Sequence, residues 1–470
     1  MRRLVAAVLL GLLAGCAVGP DYRRPGVDVP GSFLYSDADA RDTANAAWWR
    51  HFRDPVLDGL IDNALANNKN VKIAAANVEQ AAAVLTRTRA PLFPQVGYAA
   101  EAERSRASES GSPLLYSYIS NPQTSLSVYG SASWEIDLWG RIRRLSEAAR
   151  ADLLATEEAR RGVILSLVAF VASEYLQLRG LDEQLVIARR TLETYRESVR
   201  LFELKFKHGQ VSMMTVEQAR TQYETAAAAI PQIESEIAQT ENALSLLLGR
   251  NPCPIPRGRS IHEIALPAVP AAIPSRVLER RPDIARSEQN LVAANAQIGA
   301  ARALYFPSIS LTGAFGRASD ELSDLFKGPS KTWSFGGSVT GPIFTAGTIS
   351  GQVRQAEAYR KAALLSYESS IQSAFADVEN SLVARMKIAE QLKAQERLVA
   401  AAGEYTRLAQ LQYDGGYAPY TTVIQAQEQL FPAELNLAKY RSSLFTSYVR
   451  IYKALGAGWA EKPVNGGGIP

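Results

Sequence analysis

The chain has 470 residues, of which 47% are hydrophobic and 21% charged, with a formal net charge of +4, two cysteines and three histidines. Lys and Arg are scattered among Asp and Glu, so the charge balance excludes a nucleic-acid surface, and two cysteines exclude a disulfide framework. His51, His208 and His262 lack the spacing of a shared metal site, and no phosphate-binding glycine loop or nucleophile motif stands out; neither an enzyme nor a cofactor is expected.

The N-terminus reads as a secretory leader: Arg2-Arg3 is its basic end, Leu4 to Leu13 its short apolar run, and Ala14-Gly15-Cys16 its close. With both arginines in the leader, about +2 of the formal charge stays on the mature chain. Leu13-Ala14-Gly15-Cys16 resembles the lipobox of bacterial lipoproteins, whose cysteine becomes the acylated first residue. Ala17 stands where an aspartate would resemble an inner-membrane retention signal, which points to the outer membrane. Several acyl chains, at about 0.8 kcal/mol per buried methylene, anchor a chain stably. After residue 16 no uninterrupted apolar run reaches the length of a membrane-crossing helix.

Beyond the leader, Val71, Ala74, Val78, Ala81, Leu85 and Thr88 alternate at three and four residues and predict a short helix. The period then changes to two. Val96, Tyr98, Ala100 and Ala102, and then Leu126, Val128, Gly130, Ala132, Trp134 and Ile136, alternate with polar residues and predict a hairpin of membrane-crossing strand length. From about Leu138 to His208 there is no proline, and Leu178, Leu181, Leu185, Ala188, Leu192, Tyr195, Val199, Phe202 and Phe206 form a supercoil seam; about 70 residues give about 105 Å. Gly209 stops this helix, Ser212 is placed to cap the next, and a returning helix runs to Leu248-Gly249. Pro231 lies inside the returning helix and is expected to kink or interrupt it.

The second half repeats this plan. Asn70 to Ala74 maps onto Asp283 to Ser287, and Leu92 to Val96 onto Tyr305 to Ile309, at an offset of 213; Gly140 with Gly347, Gly209 with Gly416 and Leu248-Gly249 with Leu455-Gly456 follow at 207. The six-residue change between Pro94 and Gly140 marks a loop of different length in each copy. The second short helix carries Ile284, Ser287, Leu291, Ala294, Ile298 and Ala301, and the second hairpin Ile309, Leu311 and Phe315, then Trp333, Phe335, Gly337, Val339 and Ile343. A long helix follows from about Thr348 to Tyr413, then a return from about Thr421 to Leu455 containing Pro432. A short and a returning helix together nearly match a long one, so they are expected to stack end to end beside it. Four strands are too few to close a barrel, and open edges are not tolerated in lipid, so strands that cross a membrane require several chains to share one wall. A soluble hairpin with its apolar face on a helix is the competing arrangement.

Leader, lipobox, hairpin between helices and duplicated halves together resemble the outer-membrane efflux factors of the TolC family, most closely its OprM/NodT-type lipoprotein branch. The most specific words are Trp134-Glu135-Ile136-Asp137-Leu138-Trp139-Gly140-Arg141, Arg280-Arg281-Pro282-Asp283-Ile284, Phe306-Pro307-Ser308-Ile309-Ser310-Leu311 and Tyr452-Lys453-Ala454-Leu455-Gly456. The resemblance implies an α+β membrane protein: a homotrimer whose 12-stranded β-barrel, four strands per chain, continues as a 12-helix α-barrel, with an equatorial mixed region. The parts are then a signal peptide, 1–15; an acylated N-terminal and equatorial segment, 16–68; a first repeat, 69–250, with its hairpin at about 94–136; a proline-rich linker, 251–281; a second repeat, 282–456, with its hairpin at about 307–343; and a tail, 457–470.

The same resemblance implies sites. Cys16 carries the lipid. The helix-hairpin tips, with Gly209, Gln210, Val211 and Ser212 in one copy and Gly415, Gly416, Tyr417 and Ala418 in the other, meet a periplasmic adaptor. Arg407, Gln410 and Asp414 line the periplasmic entrance, with Gln410 where OprM-like chains carry an aspartate, so an acidic gate ring is not implied here. Met213-Met214 reads as packing at a helix start rather than copper handling. The expected function is a passive outer-membrane channel of a tripartite efflux system that carries drugs or other toxic small molecules, served by an adaptor and a proton-driven inner-membrane transporter. The alternatives are an exit duct for protein secretion or metal efflux, and a periplasmic coiled-coil scaffold without a pore.

Overall fold

The computed structural model describes residues 17–27, 29–35, 47–108, 121–269 and 274–458; Cys16 and the leader, part of the linker and the tail from 459 lie outside them. In chain order the helices are α1 (Pro55–Asn67), α2 (Lys69–Arg89), α3 (Arg141–Lys207), α4 (Met213–Leu247), α5 (Pro274–Arg280), α6 (Pro282–Ala303), α7 (Thr348–Asp414) and α8 (Tyr420–Ala454). Strands β1 (Gln95–Ser105) and β2 (Gln123–Ile136) stand between α2 and α3, and β3 (Ser308–Ser319) and β4 (Lys331–Thr340) between α6 and α7. The turn joining β1 to β2 is 106–122 and that joining β3 to β4 is 320–330, and this shortening accounts for the six-residue fall in repeat offset.

Contacts divide the chain into two units. One holds Met1–Gly26, Val78–Thr156 and Ser287–Tyr367, which include the four strands; the other holds Val27–Asn77, Glu157–Arg286 and Glu368–Pro470, which include both helix-hairpin tips.

Within the second unit each returning helix ends against the start of a short one. Asn68 caps α2, accepting from the amides of Asn70 at 2.8 Å and Val71 at 3.2 Å, while its Nδ2 donates to the last-turn carbonyl of Leu247 at 2.8 Å. At the corresponding place in the other copy stands Arg281, and it donates to the matching carbonyl of Ala454 at 3.0 Å. Arg281 is buried and is neutralised by Asp283 and Asp377 at 2.6 and 2.9 Å. One copy therefore makes the joint with a neutral amide and the other with a charge-assisted cluster.

The glycines that repeat are the ones the backbone requires. Gly140 and Gly347, Gly209 and Gly416, and Gly249 and Gly456 all have φ between 72° and 88°. The last four of these follow helix C-termini, with the amide of the next residue reaching back five positions, as in Gln210 to Lys205 O at 2.9 Å and Tyr417 to Gln412 O at 2.8 Å.

Three expectations need correction. Of the kink or interruption expected at Pro231 and Pro432, the interruption does not occur: both helices continue through, each proline removing only one amide donor from 35 residues of otherwise continuous bonding. Ser212 holds the N-cap position of α4, yet its side chain makes no capping bond; its hydroxyl is 3.4 Å from that of Thr215. β4 ends at Thr340, before Gly341-Pro342, so Ile343 is fully exposed beyond it; proline has no amide to extend the ladder.

A buried carboxylate fixes the start of α1. Asp54 is inaccessible, caps the amide of Val56 at 2.9 Å, and accepts from the Tyr175 hydroxyl at 2.8 Å and the Arg259 amide at 3.1 Å. The Tyr175 oxygen in turn accepts from the Gly258 amide at 2.9 Å. A side chain at 258 would stand 2.2 Å from the Asp54 carboxylate, so glycine is required for this approach. Burial, and then the carboxylate beside it, raise the Tyr175 pKa well above its ordinary value.

Candidate functional site

The strands form one antiparallel sheet in the order β1-β2-β3-β4, with β1 and β4 as its edges. Register places the alternating residues on a common face. Val96 pairs with Ala132 and Tyr98 with Gly130; Gly130 pairs with Phe315 and Trp134 with Leu311; Phe315 pairs with Trp333 and Ile309 with Val339. Directly paired residues share a face, so the greasy side is continuous across all four strands.

Among the described residues, no helix covers that face. Tyr98 is 92% exposed, Phe335 81%, Trp333 68% and Phe315 67%. A contiguous apolar surface of this kind marks contact with a membrane or a partner. The opposite face is polar, with Ser310 and Ser338 bonded at 2.7 Å and the Tyr129 hydroxyl donating to Glu101 at 3.2 Å. The competing soluble arrangement, with the apolar face packed on a helix, is thereby overturned.

Both ends of the ribbon are marked. Arg317 pairs with Lys331 at the loop end of the apolar face, where long cationic side chains reach a polar boundary. At the helix end, the Trp134 indole donates to Leu92 O at 3.0 Å, and that of Trp139 to Pro307 O at 2.8 Å while its ring stacks on Phe306 at 4.6 Å. Asp137 caps α3 through the amides of Ile142 and Arg143 at 3.0 and 2.9 Å. The turn from strand to helix is thus held by its own residues.

The helix-hairpin tips belong to the other unit. Gly209, Gln210, Val211 and Ser212 join α3 to α4, and Gly415, Gly416, Tyr417 and Ala418 follow α7; Tyr417 is 89% exposed. Arg407, Gln410 and Asp414 share one side of α7, and Gln410 donates to Asp414 at 2.9 Å. Arg407 turns instead to Glu404, donating at 2.9 and 2.7 Å, and this bonding holds the Glu404 carboxyl below its ordinary range.

Behind the tips is a cluster that periodicity alone did not single out. Phe202 packs on Tyr420 with centroids 4.0 Å apart, Tyr413 lies 5.4 Å from Tyr420, and Lys205 donates to the Tyr413 hydroxyl at 3.1 Å. Val216, Ala219, Ala409 and Val423 complete its buried core. The usable signal was asymmetry: Phe202 aligns with Ala409, and Met213 with Tyr420, so the two copies contribute bulk at different heights.

A four-stranded ribbon with an uncovered apolar face, carried by duplicated long helix hairpins, defines an outer-membrane channel subunit. The family described as outer membrane efflux protein matches residues 60–250 and 273–457. The solvent efflux pump outer membrane protein SrpC of Pseudomonas putida is 40% identical over 457 residues, 96% of this chain and 97% of that protein. The cation efflux system protein CusC of Escherichia coli is 35% identical, covering 96% and 97%. Among solved structures, the open state of the MtrE outer membrane channel of Neisseria gonorrhoeae superposes with a TM-score of 0.84 at 33% identity, covering 94% of this chain and 99% of that one. The chain belongs to the outer membrane efflux protein family and is an efflux channel of the outer membrane, as its resemblance to the TolC family implied.

Proposed function

We propose that three copies of the chain close one twelve-stranded barrel in the outer membrane and continue it as a twelve-helix periplasmic tunnel. Through this conduit, drugs or other toxic small molecules pass from an inner-membrane pump and periplasmic adaptor to the outside. The observation that carries this is the ribbon: its apolar face is uncovered and both edge strands are open. In lipid neither condition is stable until other strands complete the wall. Two copies give eight strands, whose side chains fill the interior, whereas three give twelve, which can leave a pore.

In this reading Cys16 is acylated and tethers the chain to the outer membrane, the tips at Gly209–Ser212 and Gly415–Ala418 meet the adaptor, and Arg407, Gln410 and Asp414 line the entrance. The chain needs no cofactor and has no catalytic group; the energy for export comes from the inner-membrane pump, for which a proton-driven transporter fits. Relatives named for solvent efflux favour organic substrates, while the likeness to a cation efflux system protein keeps metal cations as a second reading.

The test is conductance of the full chain in planar bilayers, combined with growth of a deletion strain. Stepwise conductance, and sensitivity of the deletion strain to solvents or antibiotics that the intact gene relieves, are expected. A soluble, non-conducting product would contradict the channel. Sensitivity confined to metal cations would favour the metal reading.

A further inference from the structure

The residues that begin the mature chain are bound by side chains with no counterpart in the repeat. The Val18 amide donates to Trp139 O at 3.0 Å. Arg144, only 7% exposed at its side chain, donates to Val18 O at 3.3 Å, to Gly19 O at 3.4 Å and to the Asp21 carboxylate at 2.7 Å. Asn295, 1% exposed, donates to Pro20 O at 2.8 Å while accepting from Arg360 at 3.0 Å. Glu288 accepts from the Tyr22 hydroxyl at 3.1 Å and pairs with Arg24 at 3.0 Å.

Backbone meets backbone along the same path. A side chain on Gly19 would stand 2.4 Å from Gly299 Cα, and one on Gly299 would stand 2.5 Å from Val18 O. One on Gly140 would stand 2.9 Å from Ala17 Cα. Such distances leave no room for a Cβ, so both helix and segment are cut to fit each other.

The duplication supplies an internal control. Arg144 aligns with Gly351 at the offset of 207; Asn295, Gly299 and Glu288 align at 213 with Ala82, Thr86 and Ala75. None of the four clamping residues recurs at the quasi-equivalent place. A purely architectural need would fall on both copies; this chemistry appears only where the single N-terminal segment lies.

We propose that Arg144, Asn295, Gly299 and Glu288 form a dedicated seat for residues 17–24 and act as positioning residues for whatever the chain's first mature residue carries. The seat holds Ala17 against Gly140, at the junction of β2 and α3. Consecutive Cα atoms are 3.80 Å apart, so a group on the residue before Ala17 is tied to that junction. If that group is the lipid of Cys16, which rests on the reading under Proposed function, the seat sets the level at which the anchor meets the base of the ribbon.

Hydrogen exchange on the purified full chain, followed by mass spectrometry, tests this. Gly299→Val and Arg144→Met are each expected to speed exchange across 17–24 by about tenfold or more, since loss of a charge-assisted bond is worth about one decade in an opening equilibrium. Thr86→Val, at the quasi-equivalent position, is expected to change nothing there, and β2 is expected to keep its protection in all three. Should Gly299→Val fail to fold, Arg144→Met carries the same expectation with the backbone contacts intact. Unchanged exchange across 17–24 in the seat variants, or an equal increase in Thr86→Val, would overturn the proposal. An N-terminal peptide lacking acyl mass would remove the lipid reading, while the exchange ratio still decides the seat.

Discussion

Asp54→Ala is expected to lower folding stability by about 3 kcal/mol, the sum of a lost helix cap near 1 and a buried hydroxyl left without its acceptor near 2. The carboxylate has no access to water and joins three parts of its unit: the first turn of α1, Tyr175 of α3 and the linker at Arg259. Water cannot replace it without opening that contact. Asp54→Asn keeps an acceptor for the cap but turns an NH2 group toward donors, and should cost about half as much. Tyr175→Phe removes the Gly258 contact along with the hydroxyl and should resemble the asparagine variant. Thermal unfolding in detergent ranks the three; a change below about 0.5 kcal/mol for the alanine variant would mean the hub is not what holds α1 to the linker.

Phe315→Arg is expected to destabilise the membrane-inserted protein by about 2–4 kcal/mol, the cost of a cation at mid-depth on the lipid face of a β-barrel. Phe315 pairs with Gly130 near the middle of β2 and with Trp333 of β4, and it is 67% exposed. Ser131→Arg puts the same charge one residue along, on the polar face, and should change stability by less than about 1 kcal/mol. Denaturant titration in lipid vesicles separates them. Equal effects would mean that the two faces do not meet lipid and water respectively.

Periodic and repeated features were the ones legible in the sequence. Seams at three and four residues gave the long helices, alternation gave strands whose registers align Tyr98, Gly130, Phe315 and Trp333, and the repeat offset picked out glycines that all adopt positive φ. What stayed hidden were polar contacts between residues far apart in the chain: Asp54 with Tyr175, Asn68 with Leu247, Arg144 with Val18. Such pairs leave no period, and each partner alone looks like a surface residue. Pro231 and Pro432 leave their helices uninterrupted for a related reason, since the surrounding helix is long enough to absorb the one missing bond.

At the tips, the glycine turns at 209 and 416 were legible because left-handed backbone favours glycine, whereas the Phe202–Tyr413–Tyr420 cluster draws unequally on the two copies and so broke the very repeat that guided the reading. Cys16 lies outside the described residues, and its acylation is a proposal that rests on the leader-like sequence before it.

Disulfide trapping between edge strands tests the shared wall most directly. In a Cys253→Ser background, Tyr98→Cys on β1 is combined in turn with cysteine at Trp333, Phe335 or Gly337 on the same face of β4, and outer membranes are oxidised before denaturing electrophoresis. At the register where neighbouring copies meet, a covalent ladder that ends at three chains is expected. Chains that stay single at every position would contradict a barrel built from several copies.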